Sequence, residues 1–410
     1  MNNKNPKEIF FVISDFRPWS FFVAFSELKK NKQNNFIVIY SQRWIYANDY
    51  GTFFPVWYKK LFISMLRLFF NVVMVEERRL SEKLNVDWLS IKSSMDSIIE
   101  QGKYNVNVNE LLEVKSGCID VVKYLKKVEN NFTLYIFNGR LASNYSISKE
   151  FNSVDTVNVK YYEHQFEHPS YHGYKIYPFP PHNNLKETKA LIKLSKSSLL
   201  SLTERYRRAI KWKNNKLNNR YTVNYNNLLS ENYEVSVFLS TSSEYGALDK
   251  KLSGYSFKGN VELVKYALNQ YKGKSIIIVF HPNMSSKELI NKEYTAIKKI
   301  ISNNIKICVP DDNCNSYDII KKSSVVVAEF STISIDALLL NPNVVLDIQG
   351  ENSGLNLLLK GEGDLFNLND KTITIPMLYS MQNELFLTVF SRPLRIILRV
   401  MSFISQRVVL

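Results

Sequence analysis

The chain alternates short apolar runs, rich in β-branched and aromatic residues, with longer stretches whose apolar positions recur at helical spacing. Residues 9–13 (IFFVI) and 36–40 (FIVIY) read as the first two strands, and 134–137 (LYIF) and 157–162 (VNVKYY) as later ones. A second series starts at 235–239 (VSVFL) and continues with 275–280 (SIIIVF), 305–309 (IKICV) and 323–328 (SSVVVA), then a further run after the Asn341-Pro342-Asn343 turn. Between these, 259–271, 286–302 and 332–340 carry the helical period. Unbroken apolar strands alternating with helices are the signature of βαβ units, whose parallel sheets are covered on both faces. The expectation is therefore an α/β protein. Residues 163–182, rich in His, Tyr and Pro, read as a loop, and the segment 53–75 reads either as a core helix with surface cations or as an apolar, basic surface.

Two series of strands imply two Rossmann-like domains. The first is expected over 1–228 and includes a basic helical stretch at 186–220, with an Asn-rich linker at 214–227. The second is expected over 229–380, followed by a basic amphipathic helix at 384–410. A length of 410 residues gives each domain a core of ordinary size. No solenoid repeat and no long low-complexity tract interrupts the pattern.

Composition narrows the classes. A hydrophobic content of 45% excludes a largely disordered chain. The three cysteines, Cys118, Cys308 and Cys314, show neither an even count nor paired metal spacing, and read as reduced thiols. The apolar run at 9–13 is too short for a signal-peptide core, and no run reaches the length of a membrane span, so a cytoplasmic location is expected. The net charge of +15 calls for a partner or an explanation. In 186–220 only Glu187 and Glu204 oppose many Lys and Arg. In the tail, Arg392, Arg395, Arg399, Ser402 and Gln406 fall on one side of a helix, so it either lies in an anionic leaflet or packs back onto the protein. Nucleic acid is not expected as a partner, because no helix-turn-helix, zinc finger or RNP signature is present.

Candidate chemistry clusters where strands end, since ligands of parallel α/β sheets bind beyond the carboxyl ends of the strands. Residues 275–280 stop at His281-Pro282-Asn283. Residues 323–328 stop at a polar break from which Ser331 and Thr332 lead into a helix. A helix start offers unpaired N–H groups and a positive dipole end, hydroxyls add donors, and a His can donate a hydrogen bond or a charge. Both loops thus suit a phosphate, although a Ser before a helix also serves as a plain cap and a His-Pro as a plain turn. Glu244, after STSS at the end of 235–239, and Asp336, one turn into the following helix, are suited to ribose or sugar hydroxyls. Arg140 can hold a carboxylate or phosphate as a fork. Asp15, Glu163 and His164 are the candidate acid–base groups, in no fixed order. His164 and His168 stand at i, i+4 with Glu167 between them, but the pattern is not HExxH and Pro169 opposes a continuing helix. No Asp-x-Asp stands at a strand end, so no metal is expected.

The strings IVFHPN (278–283), SYDII (316–320) and VVVAEFSTISIDALLLNPNVV (325–345), with IFNGRLAS (136–143) and YYEHQFEH (161–168) as weaker points, resemble GT-B glycosyltransferases of capsule and O-antigen gene clusters. More narrowly, they resemble the bacterial sialyltransferases and capsule Kdo transferases. The clear likeness covers 235–347. Here Ser334 stands where such families often carry Gly, and Asp336 where they carry Glu. The resemblance implies two Rossmann-like domains facing across a cleft, with His281, Pro282, Ser331 and Thr332 on the phosphate of a nucleotide sugar, CMP-linked by this analogy. It implies no further cofactor. An acceptor hydroxyl would attack the anomeric carbon while Asp15, Glu163 or His164 takes its proton and Arg140 binds the acceptor, a lipid-linked or growing surface polysaccharide at the inner face of the plasma membrane. Two other classes stay open. One is a polyol-phosphate transferase of the teichoic-acid type; the other is a non-catalytic, membrane-associated assembly protein.

Overall fold

A computed structural model of the chain describes residues 8–30, 36–47, 54–76, 91–92, 94–95, 107–129, 131–139, 141–168, 171–179, 207, 232–240, 259–281, 284, 287–302, 305–312, 314–329, 333–341, 343–349 and 387–389. The chain divides into two compact units. The first comprises Met1–Ile98, Lys103–Pro181 and Phe386–Leu410, and the second Ile99–Gly102 and His182–Leu385. The boundary expected at 228/229 falls among residues outside the described set.

In the first unit the elements run β1 (Glu8–Val12), α1 (Pro18–Lys30), β2 (Phe36–Ser41), α2 (Arg43–Tyr46), α3 (Val56–Arg67), β3 (Asn71–Val75), α4 (Val108–Leu125), β4 (Phe132–Phe137), α5 (Tyr145–Phe151), β5 (Val157–His168) and β6 (Tyr171–Tyr177). β1 pairs in parallel with β2 and β4, β2 with β3, and β4 with β5. Both faces of the sheet are covered, and two adjacent residues show how. Tyr162 packs on Trp19 of α1, with ring centroids 5.9 Å apart. Its neighbour Tyr161 shares a 2.7 Å hydrogen bond with Ser148 of α5. Successive strand residues point to opposite faces, so α1 and α5 lie on opposite sides of the sheet. Helix α3 joins the α1 side through Phe62, which meets Phe16 and Phe21 edge-on at 5.8 and 6.3 Å.

Beyond β5 the structure departs from the expected loop at 163–182. β5 continues to His168 and turns into β6, which pairs with it antiparallel, Glu163 opposite Lys175 and His164 opposite Tyr174. The aromatic residues of 161–168 and 171–177 (Tyr161, Tyr162, Phe166, Tyr171, Tyr174 and Tyr177) favour a strand over a coil. As a strand, it sets the Cα atoms of His164 and His168 roughly 13 Å apart, unlike the single helical turn their spacing evokes. The outer edge of β6 is covered by β12 (Leu387–Val389), antiparallel, with Thr388 opposite Tyr174. The start of the expected 384–410 helix is therefore strand; its basic face, from Arg392 onward, lies outside the described residues. Segment 53–75 is likewise not one helix but α3, a turn and β3.

The second unit runs β7 (Val235–Phe238), α6 (Asn260–Gln270), β8 (Ile276–Val279), α7 (Lys287–Lys298), β9 (Lys306–Cys308), a 3-10 turn (Pro310–Asp312), α8 (Ser316–Lys321), β10 (Val325–Glu329), α9 (Ile333–Leu340) and β11 (Val345–Gln349). Its five strands are all parallel. The period-two alternation sorts its core into two layers. Val235, Val237, Ile276, Ile278 and Val327 pack with Leu263, Val264 and Ala267 of α6 and Ile297 of α7. Phe238, Ile277, Val279, Val326 and Ala328 pack with Tyr317, Ile319 and Ile320 of α8 and Ala337 of α9. Cys308 and Cys314 are joined in a disulfide with Cα atoms 6.3 Å apart, which corrects the expectation of three reduced thiols; Cys118 is buried and free.

The strand orders are β12-β6-β5-β4-β1-β2-β3 and β11-β10-β7-β8-β9. In each unit the first strand is central, the next two extend one way and the fourth and fifth the other. Both are thus doubly wound, Rossmann-like sheets. The direction of winding reverses between β1 and β4 in one and between β7 and β10 in the other. In doubly wound sheets generally, ligands bind outside the carboxyl ends of the strands at such a reversal point.

Candidate functional site

At the reversal point of the first unit the residues after β1 meet those after β4. Ile13 still donates its N–H to Ile39, and the chain then turns through Ser14 and Asp15. Asp15 is 2% exposed; its Oδ1 accepts the Arg17 backbone N–H at 3.2 Å and lies 3.5 Å from Arg17 Nε. Burial raises the pKa of Tyr58 and of Tyr162, and in both the negative charge of Asp15 adds to the rise, so both stay phenols at neutral pH. Ser14 Oγ accepts from Asn144 Nδ2 at 2.8 Å.

After β4, Asn138 and Gly139 take φ of 54° and 80°. A left-handed conformation is costly for a residue with a Cβ and is tolerated where the surroundings over-determine it. The turn reverses the chain at once, and Asn138 Nδ2 donates to Glu163 Oε1 at 3.0 Å. Glu163 lies one residue beyond Tyr162, the last β5 residue paired with β4, so its carboxylate stands at the carboxyl edge, half-buried. The structure thus brings Ser14, Asp15, Asn138 and Glu163 to one edge. Arg140 lies outside the described residues, and His164 is placed by its backbone on β5.

Beside that edge, beyond β2 and β3, is a cavity of about 470 Å³ lined by Gln42, Arg43, Tyr46, Glu76, Glu110 and Glu113 among others. Arg43 donates to Glu113 at 2.7 Å and to Asp120 at 3.1 Å. Sequence reading missed this pocket because its residues come from three separate segments without a shared motif.

In the second unit the reversal point lies between β7 and β10. Ser240, just past β7, ties the two together: its Oγ donates to Glu329 O at 2.9 Å. Asn260, at the start of α6, accepts the Ser240 N–H at 3.2 Å and donates to Ser240 O at 2.9 Å and Glu293 Oε2 at 2.8 Å. This network fixes the exit of the central strand. On one side of it, His281 follows β8, half-buried; its carbonyl accepts the Met284 N–H at 3.0 Å, and Phe280 donates to Cys308 O at 2.9 Å. On the other side, Glu329 ends β10 and Ile333 opens α9. Pro282, Ser331, Thr332 and Glu244 lie outside the described residues. Asp336 is 5% exposed, and Tyr317 Oη donates to its Oδ2 at 3.3 Å, joining α8 to α9. Ser240 and Asn260 carried no motif; the signal that could have found them is their place at the ends of a central strand and the helix after it.

Among the described residues, Cys308, Asp312 and Cys314 form a group of metal-ligand type, their ligand atoms within 4.8 Å of one another, but the two sulfurs are bonded to each other.

The geometry defines a class: a two-unit α/β protein whose units each carry a doubly wound, Rossmann-like sheet. No protein-family model matches the chain, and no curated protein does. Among solved structures it is similar to the Thermosulfurimonas dismutans KpsC beta Kdo 2,7 transferase, at 17% identity and a TM-score of 0.39 over 57% of this chain and 69% of that one. It is also similar to the Methanocaldococcus jannaschii UDP-GlcNAc 2-epimerase, at 13% identity and a TM-score of 0.29 over 92% of each chain. A Rickettsia africae glycosyltransferase matches at 12% identity and a TM-score of 0.23 over 98% of each. Likenesses this slight do not bear on activity.

Proposed function

We propose that the protein is a metal-independent GT-B glycosyltransferase. It moves a sugar from a nucleotide donor, CMP-linked by analogy, to a lipid-linked or growing surface polysaccharide of the capsule, O-antigen or lipooligosaccharide type. It works at the inner face of the plasma membrane. What supports this reading is that the candidate residues the structure describes near strand ends, Asp15, Glu163 and His281, stand at the carboxyl edges of two sheets wound alike. Asp15 and Glu163 follow β1 and the β4-paired part of β5. His281 follows β8, and the Ser331-Thr332 pair separates β10 from α9.

In this reading His281, the hydroxyls of Ser331 and Thr332 and the following helix start stabilise the charge that develops on the departing phosphate. Glu163 is the best-suited base for the acceptor hydroxyl. It is half-buried and oriented by Asn138, whereas Asp15 is closed off and paired with Arg17. Membrane contact rests on the basic stretch from Arg392 onward and the net charge of +15.

Thermal-shift binding of CMP, CDP, UDP, GDP and dTDP tests the donor assignment. One nucleotide should raise the melting temperature of the wild type and have no effect on His281→Ala. If none shifts the wild type, the nucleotide reading fails. Product analysis with the nucleotide so identified separates glycosyl from polyol-phosphate transfer.

A further inference from the structure

Large apolar side chains exposed on the described surface concentrate on one element. In α3 and the turn after it, Val56 is 37% exposed, Trp57 55%, Leu61 52%, Leu68 78% and Phe69 55%. The other side of α3 is in the core: Lys59, Phe62, Ile63 and Leu66 are buried. With about 100° between successive residues, Trp57, Leu61, Ser64 and Leu68 fall on a single stripe. Lys60 and Arg67, both exposed, run along one flank of it, and α3 contains no acidic residue. Phe69 packs on Phe25 at 5.6 Å, and Lys29 Nζ sits 5.7 Å from the Phe25 ring, so a third cation borders the patch.

A contiguous apolar patch on a soluble surface marks an interaction site. Its composition selects the partner. Trp and Leu on one stripe with Lys and Arg beside it match a surface that is anionic outside and apolar a few ångströms in. A second copy of the chain fits poorly with the helices crossing antiparallel, because a two-fold axis across α3 would face the basic flank with that of the other copy.

We propose that α3 and residues 68–70 dock into an anionic phospholipid leaflet, with Trp57, Leu61, Leu68 and Phe69 at the acyl boundary and Lys29, Lys60 and Arg67 on the lipid phosphates. The helix then lies in the interface along its roughly 18 Å length, and salt weakens the contact because surface charges are screened. This deepens the membrane part of the preceding reading by naming the surface. It is tested without donor or acceptor, so either can fail while the other stands.

The experiment is flotation of the full chain with vesicles of phosphatidylcholine alone or mixed with phosphatidylglycerol. The wild type should float with the mixed vesicles, and less so at high salt. Lys60→Gln with Arg67→Gln should lower the partition on the order of 25-fold, at about fivefold for each charge removed. Leu61→Ser with Leu68→Ser should lower it at least as much. Val154→Ser with Val345→Ser, exposed apolar positions elsewhere, should change nothing. Trp57, Leu61 and Leu68 are more than half exposed, and Lys60 and Arg67 are exposed, so melting curves of the variants should overlay the wild type. In addition, Trp57→Phe should float yet lose the vesicle-induced blue shift of tryptophan emission. Three results overturn the proposal: wild type that ignores the mixed vesicles, α3 variants that float like wild type, or an α3 variant whose main change is a smaller mass by light scattering without vesicles.

Discussion

At Gly117, in the middle of α4, helix propensity and packing pull in opposite directions. Alanine is the better helix former by about 1 kcal/mol. A Cβ there, however, would stand 2.7 Å from Ser41 Oγ and from Trp44 Nε1, and Trp44 is held by its hydrogen bond to Val114 O. Overpacking a closed core costs about 1–3 kcal/mol, so Gly117→Ala should destabilise in urea unfolding; a gain in stability would show that the α4–β2 contact yields. Lys59 offers a test of different kind. It is buried, donates to Trp44 O and Ala47 O at 3.1 and 2.7 Å, and burial lowers its pKa to about 8 while Glu110 pulls the other way. Unfolded, it titrates near ~10.4, so between the two values the unfolded chain binds more protons than the folded one. Unfolding free energy should therefore rise with pH across that window, by on the order of 3 kcal/mol if completed. Tyr40 and Tyr161, both raised to about 12 by burial, act in the opposite sense once free tyrosine ionises. The slope is thus best read just above pH 8, and Lys59→Met should abolish it.

Helix α4 depends on a cap visible in its first residues. Asn107 Oδ1 accepts from the N–H groups of Asn109 and Glu110 at 3.0 and 3.4 Å. Asn107→Ala should cost about 1 kcal/mol by chemical denaturation, with Asn107→Asp largely restoring it. At this scale the sequence was informative where strands are continuous apolar runs: β1, β2, β4, β7, β8, β9 and β10 all lie within or over the expected segments. It was misleading where a strand is half polar. The β5–β6 ribbon read as a loop because consecutive polar residues such as Glu163-His164-Gln165 interrupt its aromatics, leaving neither an apolar run nor a strict alternation. Its pairing is long-range information that a local pattern does not carry. The candidate site shows the same division. Residues next to apolar strand ends, such as Asp15 and His281, could be picked out from the sequence. Asn138, Ser240 and Asn260 gain their meaning from strand order alone, and the pocket beyond β2 and β3 from tertiary assembly.

Of the whole molecule, the disulfide makes one prediction. A cross-link with a sequence separation of 6 lies wholly within the second unit, and closing so short a loop stabilises by about 2 kcal/mol on the chain-entropy account. Reductant should lower the melting transition of that unit alone, and a Cys308→Ser, Cys314→Ser variant should melt there already and ignore reductant. A broader consequence follows from β12. The first unit is not contiguous: the chain leaves it after Pro181, builds the second, and comes back at Phe386 to cover the edge of β6. On the ribosome, the early sheet must therefore wait with an open edge while His182–Leu385 is synthesised, on the order of 10–40 s at 5–20 residues per second. An unpaired strand edge is a template for wrong partners. The vulnerable moment in this protein's life is thus that interval, when holding off a neighbouring nascent chain matters more than the stability of the finished fold.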